Sequence, residues 1–278
     1  MEVTPDIEVT SDIHIRSLLP SRGLHKNRLI IFFGSVTVGL ILWQLMVSIF
    51  AFPPFILPSP AQVAQRAVNA FREGLLQRHF MTTLTEVLLG LLIGSSLATF
   101  MGYILAKSRA LEKLVSPYLV ASQSIPIVAI APLLVIWFGP SMLSKILICG
   151  LIVFFPVLIN TVVGLREVPE DLHSLMRSMH ATKLQTLWYL EIPAALPVFL
   201  GGLRIGATLS VIGAVVGEFV GSDRGLGFLI NVGRGQYDTA LVFVAVITLV
   251  ILASSLYGLV LLVESRVLAW QTWRKKPY

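Results

Sequence analysis

Long apolar stretches with few charges dominate the pattern of this chain. Six of them fall at about residues 29–52, 87–106, 114–139, 146–165, 198–220 and 239–263. Since about 20 residues of helix cross the hydrocarbon core of a bilayer, each stretch is long enough to span it. The pattern therefore predicts an all-α membrane protein with six transmembrane helices. The first is expected to stay as an anchor, because no small-residue cleavage site follows it.

Composition agrees with this class. The chain is 55% hydrophobic and 13% charged, with a mean hydropathy of +0.83, whereas soluble domains carry about 25% charged residues. Cys149 is the single cysteine, so a disulfide within the chain and a thiolate metal site are excluded. It is expected to be a small packing residue inside the fourth span.

The basic residues predict the orientation. The N-terminal tail, the link between spans two and three, the 165–197 loop and the C-terminal end fall on one side and hold 14 of the 21 Lys and Arg. Positive charge is retained in the cytoplasm, so both termini and the loop are expected there. The net charge of +6 then reflects topology, and no nucleic-acid partner is expected because no basic patch alternates with aromatics.

These signals divide the chain into five segments. We predict a cytoplasmic tail (1–28), a first transmembrane helix (29–52), an outer-face amphipathic segment (53–81), a membrane core (82–264) containing the 165–197 loop, and a second cytoplasmic tail (265–278). Within the outer segment, Ser59 and Pro60 are expected to cap and start a short helix. That helix could lie on the membrane surface or be a simple connector.

Small and polar residues within the spans suggest close packing and a pathway. GxxxG spacing at Gly90/Gly94 and in the fifth span is typical of helices that approach closely. Buried polar side chains in a membrane usually face a partner or a cavity. The candidates for lining a pathway are Gln123, Ser124, Asn160 and Glu218. For Glu218 a position near the outer end of its span is the alternative explanation.

Catalytic chemistry finds little support. GxSxG, HExxH and CxxC are absent from the sequence, and GYILAKS (102–108) has Ala106 where a phosphate-binding loop needs glycine. The five histidines (14, 25, 79, 173 and 180) lie outside the predicted spans and are expected to be solvated. No cofactor or metal is expected in this chain.

The polar stretch LMRSMHATKLQTLWYLEIPAALP (175–197) predicts two short helices. The first begins near Pro169 and has an apolar face that includes Leu175 and Met179. The second begins at Thr182, which forms a capping box with Gln185. The apolar faces could lie on the bilayer, pack under the bundle, or dock into a groove of a cytoplasmic partner.

The same region resembles the permease subunits of prokaryotic ABC importers, the binding-protein-dependent transport family. The resemblance covers about residues 53–264 and includes LPSP (57–60), SIPIVAIAPLLVIWFG (124–139), IPAALP (192–197) and GLGFLI (225–230). The chain is most similar to the nitrate/sulfonate/taurine and pyrimidine-precursor or riboflavin group. The family signature on the loop, EAA–three residues–Gly, is changed: its positions hold Ser174, Leu175, Met176 and His180.

The resemblance implies a type I importer fold in the inner membrane and a function for the loop. The loop would be the coupling helix that fits a cleft on the ATPase. The residues implied in coupling are Ser174, Leu175, Met176, Met179, His180, Ala181, Leu184 and Trp188. The implied partners are a second permease copy forming a homodimer, two ATP-binding subunits that hold ATP and Mg, an extracytoplasmic solute-binding protein, and membrane lipid.

The substrate is the open part of this interpretation. A heterocyclic vitamin or precursor of the pyrimidine or riboflavin type is favoured, and nitrate, sulfonate, taurine or bicarbonate is the alternative. A secondary transporter or an intramembrane enzyme is the alternative from another class. A secondary transporter would be expected to show repeated halves and carboxylates near the membrane midplane.

Overall fold

The fold is all-helical in the described part of the chain. The computed structural model describes residues 24–123 and 126–270. The helices are α1 Leu24–Phe50, α2 Pro60–Arg72, α3 Leu75–Lys107, α4 Arg109–Gln123, α5 Ile127–Phe138, α6 Met142–Arg166, α7 Glu170–Ser178, α8 Lys183–Thr186, α9 Ile192–Gly221, α10 Leu226–Gly235 and α11 Thr239–Val267, with a π-helical turn at Leu187–Glu191 between α8 and α9.

The described residues divide into two units after Ala51. In the first, α1 contains an apolar window, Phe33–Phe50, that is long enough to cross a membrane. Its apolar side chains, such as Ile31 and Ile49, are exposed. An apolar helix surface of this kind is typical of a helix that faces lipid.

Five helices are long and apolar enough to span a bilayer, and they match five of the six predicted spans. They contain Phe33–Phe50, Leu75–Lys107, Met142–Arg166, Lys183–Gly221 and Thr239–Val267. The third predicted span, 114–139, is divided instead between α4 and α5. Pro126 is the extended residue before α5, and a proline lacks the amide hydrogen that a continuing helix needs.

The core of the second unit is built around α6, which packs against both α3 and α9. Glycines make the close approach possible. A β-carbon on Gly94 would lie 2.5 Å from the carbonyl oxygen of Gly150, and one on Gly213 would lie 2.9 Å from the α-carbon of Cys149. Cys149 is fully buried at this contact, which confirms its predicted role in packing.

The outer segment carries the predicted short helix. Ser59 accepts a hydrogen bond from the Gln62 amide at 3.3 Å, and the Gln62 side chain accepts one from the Ser59 amide at 2.8 Å. Pro60 is the first residue of α2, as predicted. Arg66 then binds Asp238 at the start of α11, with Nε 2.7 Å from Oδ2, so α2 is fixed to the bundle by a partly buried ion pair.

Candidate functional site

The first candidate site is the loop helix α7. Pro169 is its N-cap, and Glu170 and Asp171 occupy its first turn, where negative charge interacts favourably with the helix dipole. Its apolar residues remain uncovered: Leu175 is 54% exposed and Met179 is 69% exposed. Both side chains belong to the apolar face that the sequence predicts for this helix.

The turn after α7 is a Schellman motif centred on His180. The Ala181 amide donates to the carbonyl of Met176, and the His180 amide donates to that of Arg177, both at 3.0 Å. His180 has a φ of +53°, a left-handed conformation that glycine adopts most readily. His180 stands where the family signature has glycine, and its positive φ is one that glycine adopts without strain.

The second loop helix starts at the predicted capping box. The Thr182 hydroxyl accepts from the Gln185 amide at 3.3 Å, and the Gln185 side chain accepts from the Thr182 amide at 2.8 Å. This helix does not end before the fifth span begins. It runs through the π-helical turn into α9, giving one 39-residue helix from Lys183 to Gly221. The expected separation of a short loop helix from the fifth span is therefore wrong.

A π-helical turn precedes the first of two prolines that the helix contains. Pro193 lies in the first turn of α9, and Pro197 lies inside it. A proline has no amide hydrogen to donate to the preceding turn. The wider hydrogen bonding of Leu187–Glu191 changes the pattern of donors and acceptors just before the first of these prolines, and no break in the helix follows.

Two ion pairs fix the ends of the loop to the corner between α3 and α4. At the C-terminal end, the buried Glu191 carboxylate lies 2.5 Å from Nζ of Lys107, the last residue of α3. At the N-terminal end, Arg166 at the end of α6 pairs with Glu112 of α4. His173 of α7 lies 4.0 Å from Glu191. The loop is therefore attached to the bundle at both ends.

Replacing Lys107 with Met should destabilise the protein more than replacing Lys107 and Glu191 together with Met. The single change leaves the buried carboxylate without its cation, which we expect to cost about 2 kcal/mol, because Lys107 is half exposed and solvent screens part of the pair. The double change also removes the buried charge. Thermal unfolding of the purified protein measures the difference.

Arg177→Met is the matched control for this comparison, because its ion pair with Glu170 is exposed on both sides and should matter little. Equal destabilisation by the single and the double change would contradict the role assigned to Glu191.

The structure brings the predicted coupling residues together on this loop. Met176 and Ala181 are half-buried, and the others are exposed: Ser174, Leu175, Met179, His180, Leu184 and Trp188. In the described part of the chain this gives a surface with several large uncovered apolar side chains, which is typical of an interaction site. Their part in coupling remains a prediction.

The predicted pathway residues are dispersed. Gln123 is the last residue of α4, and its side chain lies outside the described residues, as does Ser124. A cavity of about 430 Å³ borders this point and is lined by Ser122 and Pro126 together with α6 and α9. Asn160 is half-buried and donates to the carbonyl of Pro156 at 2.8 Å.

Glu218 belongs to a buried polar cluster at the end of the bundle opposite the loop. Its carboxylate accepts a hydrogen bond from the Thr83 hydroxyl at 2.6 Å and one from the Gly227 amide at 2.5 Å. The Leu226 amide donates to Thr83 at 2.8 Å. A side chain on Gly225 would collide with the Glu218 carboxyl group, so the glycines of GLGFLI allow α10 to approach α9 closely.

His79 joins the same cluster, and the expectation that it is solvated is wrong. It is 5% exposed, and its Nδ1 accepts a hydrogen bond from the Gly225 amide at 2.9 Å. It lies in α3, which begins twelve residues before the predicted span and whose first turns contact the start of α10. The contact between His79 and Gly225 could not be predicted from the spacing of residues, because the two are 146 positions apart.

Two further members were not predicted as site residues, Glu86 and Lys145. Glu86 is fully buried and Lys145 is 3% exposed. Nζ of Lys145 lies 3.9 Å from Oε1 of Glu86, and the Glu86 carboxyl group interacts electrostatically with that of Glu218. The charges of both residues were visible in the sequence, but each lies near the end of an apolar stretch, where exposure to water is the ordinary expectation.

Together these features define a class of protein: a multi-span membrane protein with a two-helix interaction element on one face. Comparison with known proteins then identifies the family. Residues 90–269 match the profile of the binding-protein-dependent transport system inner membrane component. The chain belongs to this family, and it is a permease subunit of an ABC importer.

Two similar proteins are named as transport permeases. The chain is 47% identical to the riboflavin transport system permease protein RibX of Chloroflexus aurantiacus, over 84% of this chain and 87% of that protein. It is 35% identical to the formylaminopyrimidine transport permease protein ThiX of Halalkalibacterium halodurans, over 84% and 92%.

A solved structure shows the same fold. The inward-facing MetNI methionine ABC transporter superposes with a TM-score of 0.61 at 22% identity, covering 69% of this chain and 95% of that one. This likeness confirms the predicted importer fold.

Proposed function

We propose that this permease subunit couples ATP hydrolysis on separate subunits to the import of a small heterocyclic solute. The observation that carries the proposal is the exposed two-helix element 170–191 (the coupling element), whose second helix is continuous with α9. A displacement of Trp188 at one end of a rigid helix is transmitted to the membrane-spanning part without an intervening hinge.

The partners follow from what this chain contains. Its sequence has no phosphate-binding loop, so ATP and Mg would be held by two cytoplasmic ATP-binding subunits. The exposed apolar side chains of the coupling element, including Leu175 and Met179, would enter a groove on these subunits. A second copy of this chain would complete the pathway, and an extracytoplasmic binding protein would deliver the solute.

The orientation follows from the distribution of basic residues. The coupling element carries Arg177 and Lys183 and would face the cytoplasm with both termini. The end that contains Glu218 would then face outward, where the binding protein delivers the solute. Closure of the ATPase pair would move the coupling element and rock the helices between inward-open and outward-open states.

The solute class is supported by the relatives. The proteins that are 47% and 35% identical are named for the transport of riboflavin and formylaminopyrimidine. Both are neutral or weakly charged nitrogen heterocycles with hydrogen-bonding edges. Nitrate, sulfonate, taurine or bicarbonate remains the alternative within the same importer class.

Uptake of labelled riboflavin and formylaminopyrimidine into vesicles containing the assembled importer tests this function. We expect ATP-dependent uptake of at least one of them, and we expect it to stop when the Walker lysine of the co-purified ATPase is replaced by Ala. Uptake that survives this replacement would favour a secondary transporter. The same vesicles supplied with taurine test the alternative substrate class.

A further inference from the structure

An open cavity of about 440 Å³ lies at the end of the bundle opposite the coupling element. Its wall is formed by α3, by the start of α6 and by the segment between α9 and α10; the residues that matter are Thr85, Glu86, Ser141, Lys145 and Arg224. The volume lies within the range of about 300–1,000 Å³ that small-molecule sites occupy.

Glu86 has unused hydrogen-bonding capacity in the wall of this cavity. The residue is fully buried, yet neither of its carboxyl oxygens accepts a hydrogen bond from an N–H or O–H group of the described residues. Buried polar groups nearly always have a partner. A proton shared with Glu218 would occupy one Glu86 oxygen and leave the other free.

Lys145 is the complementary group. Its Nζ is 3.9 Å from Glu86, close enough to interact as an ion but too far to form a hydrogen bond. Glu218 has no such free acceptor, because one of its oxygens accepts a hydrogen bond from Thr83 and the other accepts one from Gly227. A ligand beside these two residues could therefore donate a hydrogen bond to Glu86 and accept one from Lys145.

The charges of the wall argue against an oxyanion. At depth there are two carboxyl groups, Glu86 and Glu218, and one ammonium group, Lys145; at the rim Asp223 pairs with Arg224 at 3.6 Å. The net charge is zero if the two carboxyl groups share a proton and −1 if they do not. In neither case is the cavity net positive, and a wall with an excess of carboxyl groups does not favour a bare anion such as nitrate.

We propose that Glu86 and Lys145 form a recognition pair for a neutral heterocyclic solute whose edge presents an N–H donor beside a carbonyl acceptor. The solute N–H would donate to Glu86, and its carbonyl oxygen would accept from Lys145. The proposal rests on the proposed import function and specifies its substrate class. The charges of the wall disfavour nitrate, and the relatives named for the transport of heterocycles favour the heterocycle over taurine.

Thiol labelling tests whether a solute occupies the cavity. Thr85→Cys places a reactive thiol in its wall, and wild type serves as the blank because Cys149, the single native cysteine, is buried. In the assembled importer in vesicles, a membrane-impermeant thiol reagent should label Thr85→Cys. Riboflavin or formylaminopyrimidine should slow this labelling, and taurine and nitrate should not.

Uptake kinetics test the pair itself. Glu86→Gln keeps the size of the side chain and removes its charge, so the KM for the transported heterocycle should rise about tenfold through loss of a charge-assisted hydrogen bond. Ser210→Ala is the matched control: Ser210 is equally buried and donates to the Val87 carbonyl at 3.2 Å, but it does not line this cavity. Its KM should stay unchanged. The amount of assembled complex is measured for both variants.

The outcomes separate the two proposals. ATP-dependent uptake by wild type with the same KM in Glu86→Gln would overturn the recognition pair and leave the import function standing. Protection of Thr85→Cys by taurine equal to that by the heterocycles would overturn it as well, as would an equal rise in KM for Ser210→Ala. Absence of ATP-dependent uptake of both heterocycles by wild type would overturn the proposed function.

Discussion

His180→Pro is expected to abolish transport and substrate-stimulated ATP hydrolysis while the protein still inserts into the membrane. Proline fixes φ near −65°, whereas His180 has a φ of +53°. The substitution also removes the amide that donates to the Arg177 carbonyl. Proline further disfavours the α-like conformation of the preceding residue, and Met179 has φ −81° and ψ 6°.

The expected cost to the local turn is about 3 kcal/mol or more, which is roughly a hundredfold or more in the population of the correctly folded coupling element. ATP hydrolysis and uptake by the reconstituted importer measure the effect, and the quantity of protein in the membrane fraction measures insertion. Hydrolysis that stays fully stimulated by substrate would contradict a role for this turn in coupling.

His180→Gly is the informative control at the same position. Glycine adopts the left-handed conformation without the roughly 1–2 kcal/mol that a side chain there costs. We expect this variant to keep its coupling and to unfold at the same temperature or a slightly higher one. Loss of coupling in both variants would show that the imidazole, rather than the backbone turn, is what the ATPase requires.

Gly94→Ala is expected to have the second large effect, on folding rather than on coupling. The added methyl group would lie 2.5–3.0 Å from the backbone atoms of Gly150. These backbone atoms cannot move away as the end of a flexible side chain can, so α3 and α6 must separate. Overpacking of a core usually costs about 1–3 kcal/mol, and more when backbone must move. The yield and thermal stability of the purified protein measure the loss.

Gly258→Ala is the matched control, because nothing lies within 4 Å of the position where its β-carbon would stand. In a helix this change should be neutral or should stabilise the protein by up to about 1 kcal/mol. If both substitutions lowered the yield equally, close packing of α3 on α6 would not be the reason that Gly94 is required.

Features determined by neighbouring residues were predictable from the sequence. The N-cap at Ser59 and the capping box at Thr182 formed as expected, since they depend only on residues within three positions of each other. The apolar stretches located the spans because length and hydropathy alone determine whether a helix can cross a membrane. The position of His180 in the family signature also located the turn that ends α7.

Contacts between distant residues were not predictable in the same way. His79 and Gly225 meet only because α10 folds back over the start of α3. The packing of these two helices cannot be predicted from a single sequence. Lys145 lies near the end of an apolar stretch, where exposure to water is the ordinary expectation, yet it is 3% exposed and belongs to the cluster around Glu86. The continuity of the loop helix with α9 was hidden because Pro193 and Pro197 ordinarily indicate a helix end.

The uninterrupted helix from Lys183 to Gly221 also fixes an angular phase. Its 39 residues correspond to about 58 Å of α-helix, close to twice the thickness of the hydrocarbon core. Each residue in such a helix advances the direction of the side chains by about 100°. The direction in which Trp188 points and the direction in which Glu218 faces Thr83 are therefore linked through one continuous helix. Trp188 lies within the π-helical turn Leu187–Glu191, where each residue turns the helix by less than in an α-helix, so this turn sets the direction of Trp188 relative to that of Glu218.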